Sequence, residues 1–355
     1  MSEAYKKILV VRTDRVGDVV LTTPALSALR KAYPYAKIGL LVAPLTYDLV
    51  SKNKDLNKVL VDDREGQHKG LFGFLKLVKK IKKQNYDVAV IFHTKKRTNL
   101  LCFLAGIPRR IGYKNKKFGR LLTDPIEDTR HHGKKHEVEY CLDVLKPLGV
   151  TSSECRLNVS VHEDAEEWLN QFLAQNHISA DDKIIAIHPG ASDPAKQWPE
   201  HCFAELIDRL YESRDVKIVL LGSANIRHVS REVKSLTRHP AIELTGLTSM
   251  AQLISLLKHS SILVSNDSGP VHIAAAVGTP VVSIFTRNLP GINPERWRPL
   301  GDRHQVICVS EKAVQEYRKA NPLSFEKAGK IDPKYLELIP VTEVFEAVDS
   351  LCKLC

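Results

Sequence analysis

The run SNDSGPVHIAAAVGTPVV (265–282) places a carboxylate, a hydroxyl, a glycine, a proline and an imidazole within about one helical turn of each other. An apolar run, Ser261 to Val264, stops at Asn266-Asp267-Ser268-Gly269-Pro270. A small-residue helical pattern follows and ends at Gly278-Thr279-Pro280. A strand handing over to a helix leaves the first N–H groups of that helix without partners, and the macrodipole adds partial positive charge. Such a turn suits an anion, a phosphate above all. Gly269 admits close backbone approach, and Pro270 suits the first turn. An ordinary cap by Asp267 or Ser268 is the competing reading. For His272 the competing reading is a satisfied interior histidine.

Two further stretches have the same strand, loop, helix character. RTDRVGDVVLTTPAL (12–26) has neither the GxGxxG of a dinucleotide fingerprint nor the GxxxxGK[ST] of a P-loop. It offers Gly17-Asp18 at the loop's end. A carboxylate there either caps the helix or accepts a proton from an incoming hydroxyl. HPGASDPAKQWPEHCFAEL (188–206) brings Lys196 to a Pro/Gly/Ser loop at a strand's end. A lysine beside exposed backbone N–H groups is either a phosphate ligand or a surface cation.

The elements that must hold these residues alternate. KILVVRT (7–13), KIGLLVAP (37–44), VLVDD (59–63) and DVAVIFH (87–93) read as buried strands, separated by helical patterns at 19–34 and 70–84. A helix is expected over 136–150, ended by Pro147 and Gly149, and another near 161, followed by a polar loop. The pattern then restarts with strands at 183–190, 217–223, 261–267 and 280–286 and helices at 203–213 and 250–260. Continuous β-branched runs with helical crossovers imply α/β architecture with parallel sheets covered on both faces. The spacing predicts two doubly wound, Rossmann-like domains, 1–165 and 166–338. A final helix, 339–355, is expected to cross back to the first domain. Two such sheets facing each other would enclose a cleft suited to small-molecule chemistry.

At 355 residues, 43% hydrophobic and 26% charged, the chain reads as soluble and globular. No apolar run reaches the roughly 18–20 residues of a membrane span, and the N-terminus has no signal-peptide pattern. Seven scattered cysteines suit reduced thiols in a cytoplasm, and the single CxxC at Cys352 and Cys355 lacks the second pair that a zinc site needs. The net charge of +11 calls for an anionic partner. Much of the excess lies in KLVKKIKKQNYD (76–87) and RRIGYKNKKFGR (109–120), without any nucleic-acid-binding motif. Nucleic acid is therefore not the expected partner.

On ILVVRTDRVGDVVLTTPALSALRKAYP, AGIPRRIGY, HPGAS…KQWP, LTGLTSMAQL and SNDSGPVHIAAAVGTPVVSIF, the chain closely resembles the ADP-heptose:lipopolysaccharide heptosyltransferases, glycosyltransferase family 9, over roughly residues 6–300. The resemblance implies the two-domain GT-B fold. It also implies inverting, metal-independent transfer of heptose from ADP-L-glycero-D-manno-heptose to the lipopolysaccharide inner core. No cofactor is implied, and Asp62-Asp63 is not in the context of a metal-binding DxD. Asp18 matches the family's general base. Lys196, Ser192, Asp267, Ser268, Gly269 and His272 match its donor-binding residues, with Gly17, Gly190 and Gly222 supporting the loops.

The same resemblance implies a phosphorylated, acidic glycolipid acceptor, Kdo–lipid A or heptosylated core, at the inner face of the cytoplasmic membrane. Arg109, Arg110, Lys114, Lys116 and Lys117 are the candidates for that contact, with Lys95, Lys96 and Arg97 next. The sequence departs from the family after LLGS, where SANIRH has no acid for the ribose, and in 286–301 and 310–330, which read as an insertion or lid. Other readings are a family member using another nucleotide sugar or acceptor, an NAD-type oxidoreductase or epimerase, and a non-catalytic glycolipid-binding protein.

Overall fold

A computed structural model describes residues 5–286, 290–321 and 333–353, which form two compact units dividing at Ser160/Val161, five residues before the expected boundary. The first unit carries β1 (Lys7–Val11), α1 (Val16–Ala32), β2 (Lys37–Val42), β3 (Lys58–Val61), α2 (Gly70–Lys82), β4 (Val88–Ile91), α3 (Lys96–Leu104), β5 (Arg109–Tyr113), β6 (Asp124–Ile126) and α4 (Glu137–Asp143). The second carries α5 (Glu163–Gln175), β7 (Lys183–His188), α6 (Glu200–Ser213), β8 (Val216–Leu220), α7 (Arg227–Leu236), β9 (Ile242–Glu243), α8 (Met250–His259), β10 (Ile262–Asn266), α9 (Gly269–Val277), β11 (Val281–Phe285), α10 (Pro294–Trp297), β12 (His304–Cys308), α11 (Glu311–Ala320) and α12 (Val341–Cys352).

Each unit holds one six-stranded sheet, ordered β3-β2-β1-β4-β5-β6 and β9-β8-β7-β10-β11-β12. The neighbours pair in parallel throughout. Counted from the first strand of each unit, the two orders are the same. The strand order therefore reverses between β1 and β4 in one sheet and between β7 and β10 in the other. Ligands of such sheets sit outside the strand C-termini at that reversal, which fixes where each unit's chemistry belongs.

The central strands are buried on both faces, as their unbroken apolar runs require. In the first unit they pack against Phe74, Leu77, Val78 and Ile81 of α2 and Leu101 and Cys102 of α3. Helix α1 tolerates Pro24 in its interior because the Thr23 hydroxyl donates to the Val20 carbonyl, which Pro24 cannot serve. In the second unit the core centres on Trp198, Phe203, Ile207 and the strands β7, β10 and β11. Helix α9 ends at Gly278, whose φ of 89° supplies the left-handed C-cap.

The C-terminal helix differs from expectation. Val344, Ala347, Val348 and Leu351 of α12 pack into the second unit's own core, beside α6 and the strands β10 to β12. Its apolar stripe is used there. The helix expected over 136–150 is α4 followed by a short turn at Lys146–Leu148, since Pro147 breaks the α-helical ladder. Cys102, Cys141, Cys155, Cys202, Cys308 and Cys352 are free thiols; Cys355 lies outside the described residues. So do 287–289 and 322–332, and with them parts of the two segments read as an insertion or lid. Among the described residues, no helix is long and apolar enough to cross a membrane.

Candidate functional site

In the first unit the reversal between β1 and β4 is filled by charge. Arg12 follows β1 directly and is buried. Its Nη2 donates to Asp18 Oδ1 at 2.6 Å and to Glu137 Oε1 at 3.1 Å. Its Nη1 donates to the Phe92 carbonyl, just past β4, at 2.9 Å. Nε lies 3.1 Å from Asp14 Oδ1 as an ion pair, without the alignment of a hydrogen bond. One guanidinium thus faces three carboxylates from the β1–α1 loop, the first turn of α1 and α4. Burial works to lower the Arg12 pKa, but Asp14, Asp18 and Glu137 outweigh it and hold it well above the ordinary value. The pKa of Asp14 is raised too, which for a carboxyl favours the neutral form. Burial raises its carboxyl pKa, and the Asp18 charge adds to this against the pull of Arg12.

Asp18 sits in the first turn of α1, behind the buried Gly17, and α1 has no side-chain N-cap. The capping role open to Asp18 in the sequence is therefore not the one it plays. One carboxylate oxygen is held by Arg12, and no hydrogen bond to Oδ2 is found among the described residues. His93, after β4, is buried. Burial first, and then the positive charges of Arg12 and Lys95, hold its imidazole well below the usual histidine range. Its Nε2 meets the hydroxyls of Thr13 at 3.3 Å and Thr98 at 3.4 Å.

The second unit's reversal holds the predicted donor residues. Lys196 Nζ, following β7, forms an ion pair with Asp267 Oδ2, following β10; both side chains are largely buried. Asn266 staples the same two loops, accepting from Trp198 N at 2.9 Å and donating to the Pro189 carbonyl at 2.7 Å. The indole of Trp198 is anchored below through Nε1 to the Ile339 carbonyl at 3.1 Å. The Lys196 loop is thus fixed from two sides.

Ser268 is the N-cap residue of α9, but its side chain does not cap the helix. Its hydroxyl lies 2.8 Å from Ser265 Oγ and 3.3 Å from His188 Nδ1. Among the described residues no side chain caps the N-terminal turn of α9, and its first amides are of the kind that suit an anion. Ser192 is exposed on the loop after β7, and His272 is buried one turn into α9. Gly190 and Gly222 end adjacent strands. A Cβ on either would come within 2.9 Å of Ile226 side-chain atoms, so both glycines make room for that residue.

The acceptor candidates divide. Lys114, Lys116 and Lys117 are exposed in the loop leaving the C-terminal end of β5, and Lys95 and Lys96 are exposed at the start of α3 after β4. Lys96 lies over the Phe118 ring at 5.2 Å. Arg109 and Arg110 instead open β5, at the opposite edge of the sheet from Asp18. Arg109 Nη2 donates to Asp124 Oδ1 at 2.7 Å and to the Pro147 carbonyl at 2.8 Å. Arg110 donates to the carbonyls of Leu121 at 2.6 Å and Pro108 at 3.1 Å. Arg97 is bidentate on the buried Asp62, at 2.9 and 2.8 Å. The guanidinium groups of these three arginines are engaged within the unit.

Asp62 also takes Arg64 at 3.1 Å, and Asp63 accepts from the Gly66 and Gln67 amides. No group of three His, Cys, Asp or Glu side chains suited to a metal ion occurs among the described residues. Arg12, Glu137, His93 and His188 carry no motif of their own. The one available signal is position, since Arg12, His93 and His188 each stand at the C-terminal end of a central strand.

A model of glycosyltransferase family 9 (heptosyltransferase) matches residues 74–325, more than half of the chain. Among characterised relatives, lipopolysaccharide heptosyltransferase 3 of Escherichia coli K12 is 29% identical over 349 residues, covering 94% of this chain and 95% of the relative. Two solved structures share the fold. A family 9 glycosyl transferase from Veillonella parvula superposes with a TM-score of 0.86 at 24% identity, covering 100% of this chain and 99% of the other. The Escherichia coli ADP-heptose LPS heptosyltransferase II superposes with a TM-score of 0.77 at 22% identity, covering 98% and 99%. With two parallel sheets of the same strand order, and with a family match that takes in parts of both units and more than half of the chain, the chain belongs to glycosyltransferase family 9, the heptosyltransferase family.

Proposed function

We propose that this protein is an inverting heptosyltransferase that moves heptose from ADP-L-glycero-D-manno-heptose to the lipopolysaccharide inner core. The observation that carries the reading is the pairing of Lys196 with Asp267 beside the uncapped start of α9. A cation and a row of unsatisfied amides there suit the diphosphate of a sugar nucleotide and steady the leaving group. When donor binds, Lys196 exchanges Asp267 for phosphate oxygens, and Asp267 and His272 turn to sugar hydroxyls. Ser192 lies on the same loop as Lys196 and adds a hydroxyl toward the phosphates.

Asp18 is the general base. The acceptor oxygen attacks the anomeric carbon, the bond from that carbon to the β-phosphate oxygen breaks, and ADP leaves with the electron pair. The proton passes from the acceptor hydroxyl to Asp18. Arg12 holds one carboxylate oxygen and leaves Oδ2 to accept the proton. A single in-line displacement needs base and leaving group on opposite faces of the sugar, and these groups come from the first and second units respectively.

Lys114, Lys116, Lys117, Lys95 and Lys96 take the anionic groups of a Kdo–lipid A or heptosylated core acceptor, with the enzyme working in the cytoplasm at the inner membrane surface. Turnover without a divalent metal belongs to the same proposal and is checked by activity after exhaustive EDTA treatment. The test of the whole reading is ADP release from ADP-heptose with Kdo–lipid A and, separately, with its singly heptosylated product. Release that depends on one of the two acceptors supports it and identifies which heptose is added. Tight ADP-heptose binding with no release on either acceptor contradicts the acceptor assignment, and failure to bind ADP-heptose contradicts the donor.

A further inference from the structure

Helix α2 has an outer face that its own unit does not use. Phe74, Leu77, Val78 and Ile81 bury its inner face in the core. Phe72, Leu75, Lys76, Lys79, Lys80 and Lys83 recur three and four residues apart, so they line one outward stripe. Phe72 is 89% exposed, Leu71 68% and Leu75 45%, all in the first turns. The basic residues occupy the rest. Residues 66–86 contain six lysines and no Asp or Glu, and none of these lysines forms an ion pair among the described residues.

A second exposed apolar pair belongs to the same edge of the sheet. Leu45 is 67% exposed and Tyr47 41%, in the loop leaving β2. Because β2 and β3 are parallel neighbours, the loop after β2 and the loop that leads from β3 into α2 both leave the strands' C-terminal edge. This is also the edge that carries Asp18. Large apolar side chains left in water beside unpaired lysines mark an interaction surface, and the arrangement of an apolar end and a polybasic stem is that of an interfacial helix.

We propose that the outer stripe of α2 docks the protein on a bilayer containing anionic lipids. Leu71, Phe72 and Leu75 enter the headgroup region, and Lys76, Lys79, Lys80 and Lys83 lie against lipid phosphates. Charge complementarity selects this occupant, since a stripe with four lysines and no acid is repelled by a second copy of itself. The inference rests on the reading of a membrane-borne acceptor for its purpose, but vesicle binding itself is measured with no acceptor present.

The experiment is co-sedimentation of the full chain with vesicles of phosphatidylcholine, with and without phosphatidylglycerol, for wild type, Leu71→Ser/Phe72→Ser and Lys76→Glu/Lys79→Glu/Lys80→Glu. The expected result is binding only with phosphatidylglycerol, weakened about tenfold or more by either variant and by raised salt. All substituted positions are exposed, and an unchanged thermal transition with unchanged turnover on a deacylated, water-soluble acceptor shows that each variant is folded and active. Equal sedimentation of wild type and both variants overturns the proposal. So does a wild-type dimer that Leu71→Ser/Phe72→Ser converts to monomer, because the stripe is then a contact between copies. Absence of turnover on the soluble acceptor, with vesicle binding intact, counts against the transferase reading and not against the docking surface.

Discussion

Arg12 Nη2 lies 2.6 Å from Asp18 Oδ1, and the same nitrogen lies 3.1 Å from Glu137 Oε1. The candidate base is therefore held by a buried cation shared with other carboxylates and does not serve as the cap of α1. A shared cation holds the Asp18 carboxylate in place through a short charge-assisted hydrogen bond. The arrangement is exposed to loss of either charge, because a buried charge deprived of its partner is costly.

Arg12→Met accordingly leaves Asp14, Asp18 and Glu137 without their cation and destabilises the first unit by about 3–5 kcal/mol. Arg12→Lys retains the charge but not the fork, and one ammonium cannot serve Asp18, Glu137 and the Phe92 carbonyl together. The expected outcome for Arg12→Lys is a folded protein whose kcat falls about 10- to 100-fold with donor KM unchanged. Urea unfolding and steady-state kinetics separate the two variants.

Lys196 and Asp267 form one unit, so their substitutions do not add. Lys196→Ala and Asp267→Ala are each expected to weaken ADP binding about tenfold or more, and the double variant by little beyond the worse single. Titration calorimetry with ADP reads this directly. Full additivity would separate the two residues and remove the pair from the donor site.

The pH dependence of stability has a stated source in His188. Burial pushes its imidazole down from 6.5 to about 4. Because the folded-state value lies below the unfolded one, the unfolded chain binds the proton first. Stability is complete above about pH 6.5 and is lost as pH falls toward 4, by up to ~3 kcal/mol. His188→Gln removes that slope, while donor binding weakens because Ser268 loses its Nδ1 neighbour. Unfolding free energies at the two ends of that pH window, for both proteins, check the sign.

Arg109 and Lys116 test the division of the basic residues. Arg109→Ala loses the Asp124 pair and the Pro147 carbonyl and is expected to cost ~1 kcal/mol of stability with acceptor KM unchanged. Lys114→Ala/Lys116→Ala/Lys117→Ala is expected to do the reverse, raising acceptor KM several-fold without moving the thermal transition.

The long strands, the two parallel sheets and the α9 turn were legible because buried parallel strands write unbroken apolar runs and glycine marks the turns. The placement of Asp18, Lys196 and Asp267 just past strand ends was legible too. The strands β5, β6, β9 and β12 were not, because RRIGY, DPI, IE and HQVIC are short and open on or include polar residues. Arg109 and Arg110 read as a basic patch for the same reason, since charge in a sequence does not reveal a carboxylate or carbonyl supplied by a distant segment. Arg12 escaped notice because its three carboxylate partners include Glu137, 125 residues away. Helix α12 was expected on the first domain and packs into the second unit's core, since an amphipathic stripe states that a partner exists and not which one.

The most direct measurement compares wild type with Asp18→Asn in ADP release under saturating donor and acceptor, with ADP binding measured in parallel. The account predicts that turnover falls by about a thousandfold or more while ADP affinity stays within about twofold, since the substitution removes the base and leaves the second unit's site intact. Turnover within about tenfold of wild type, with the same acceptor dependence, would contradict the assignment of Asp18 as the base.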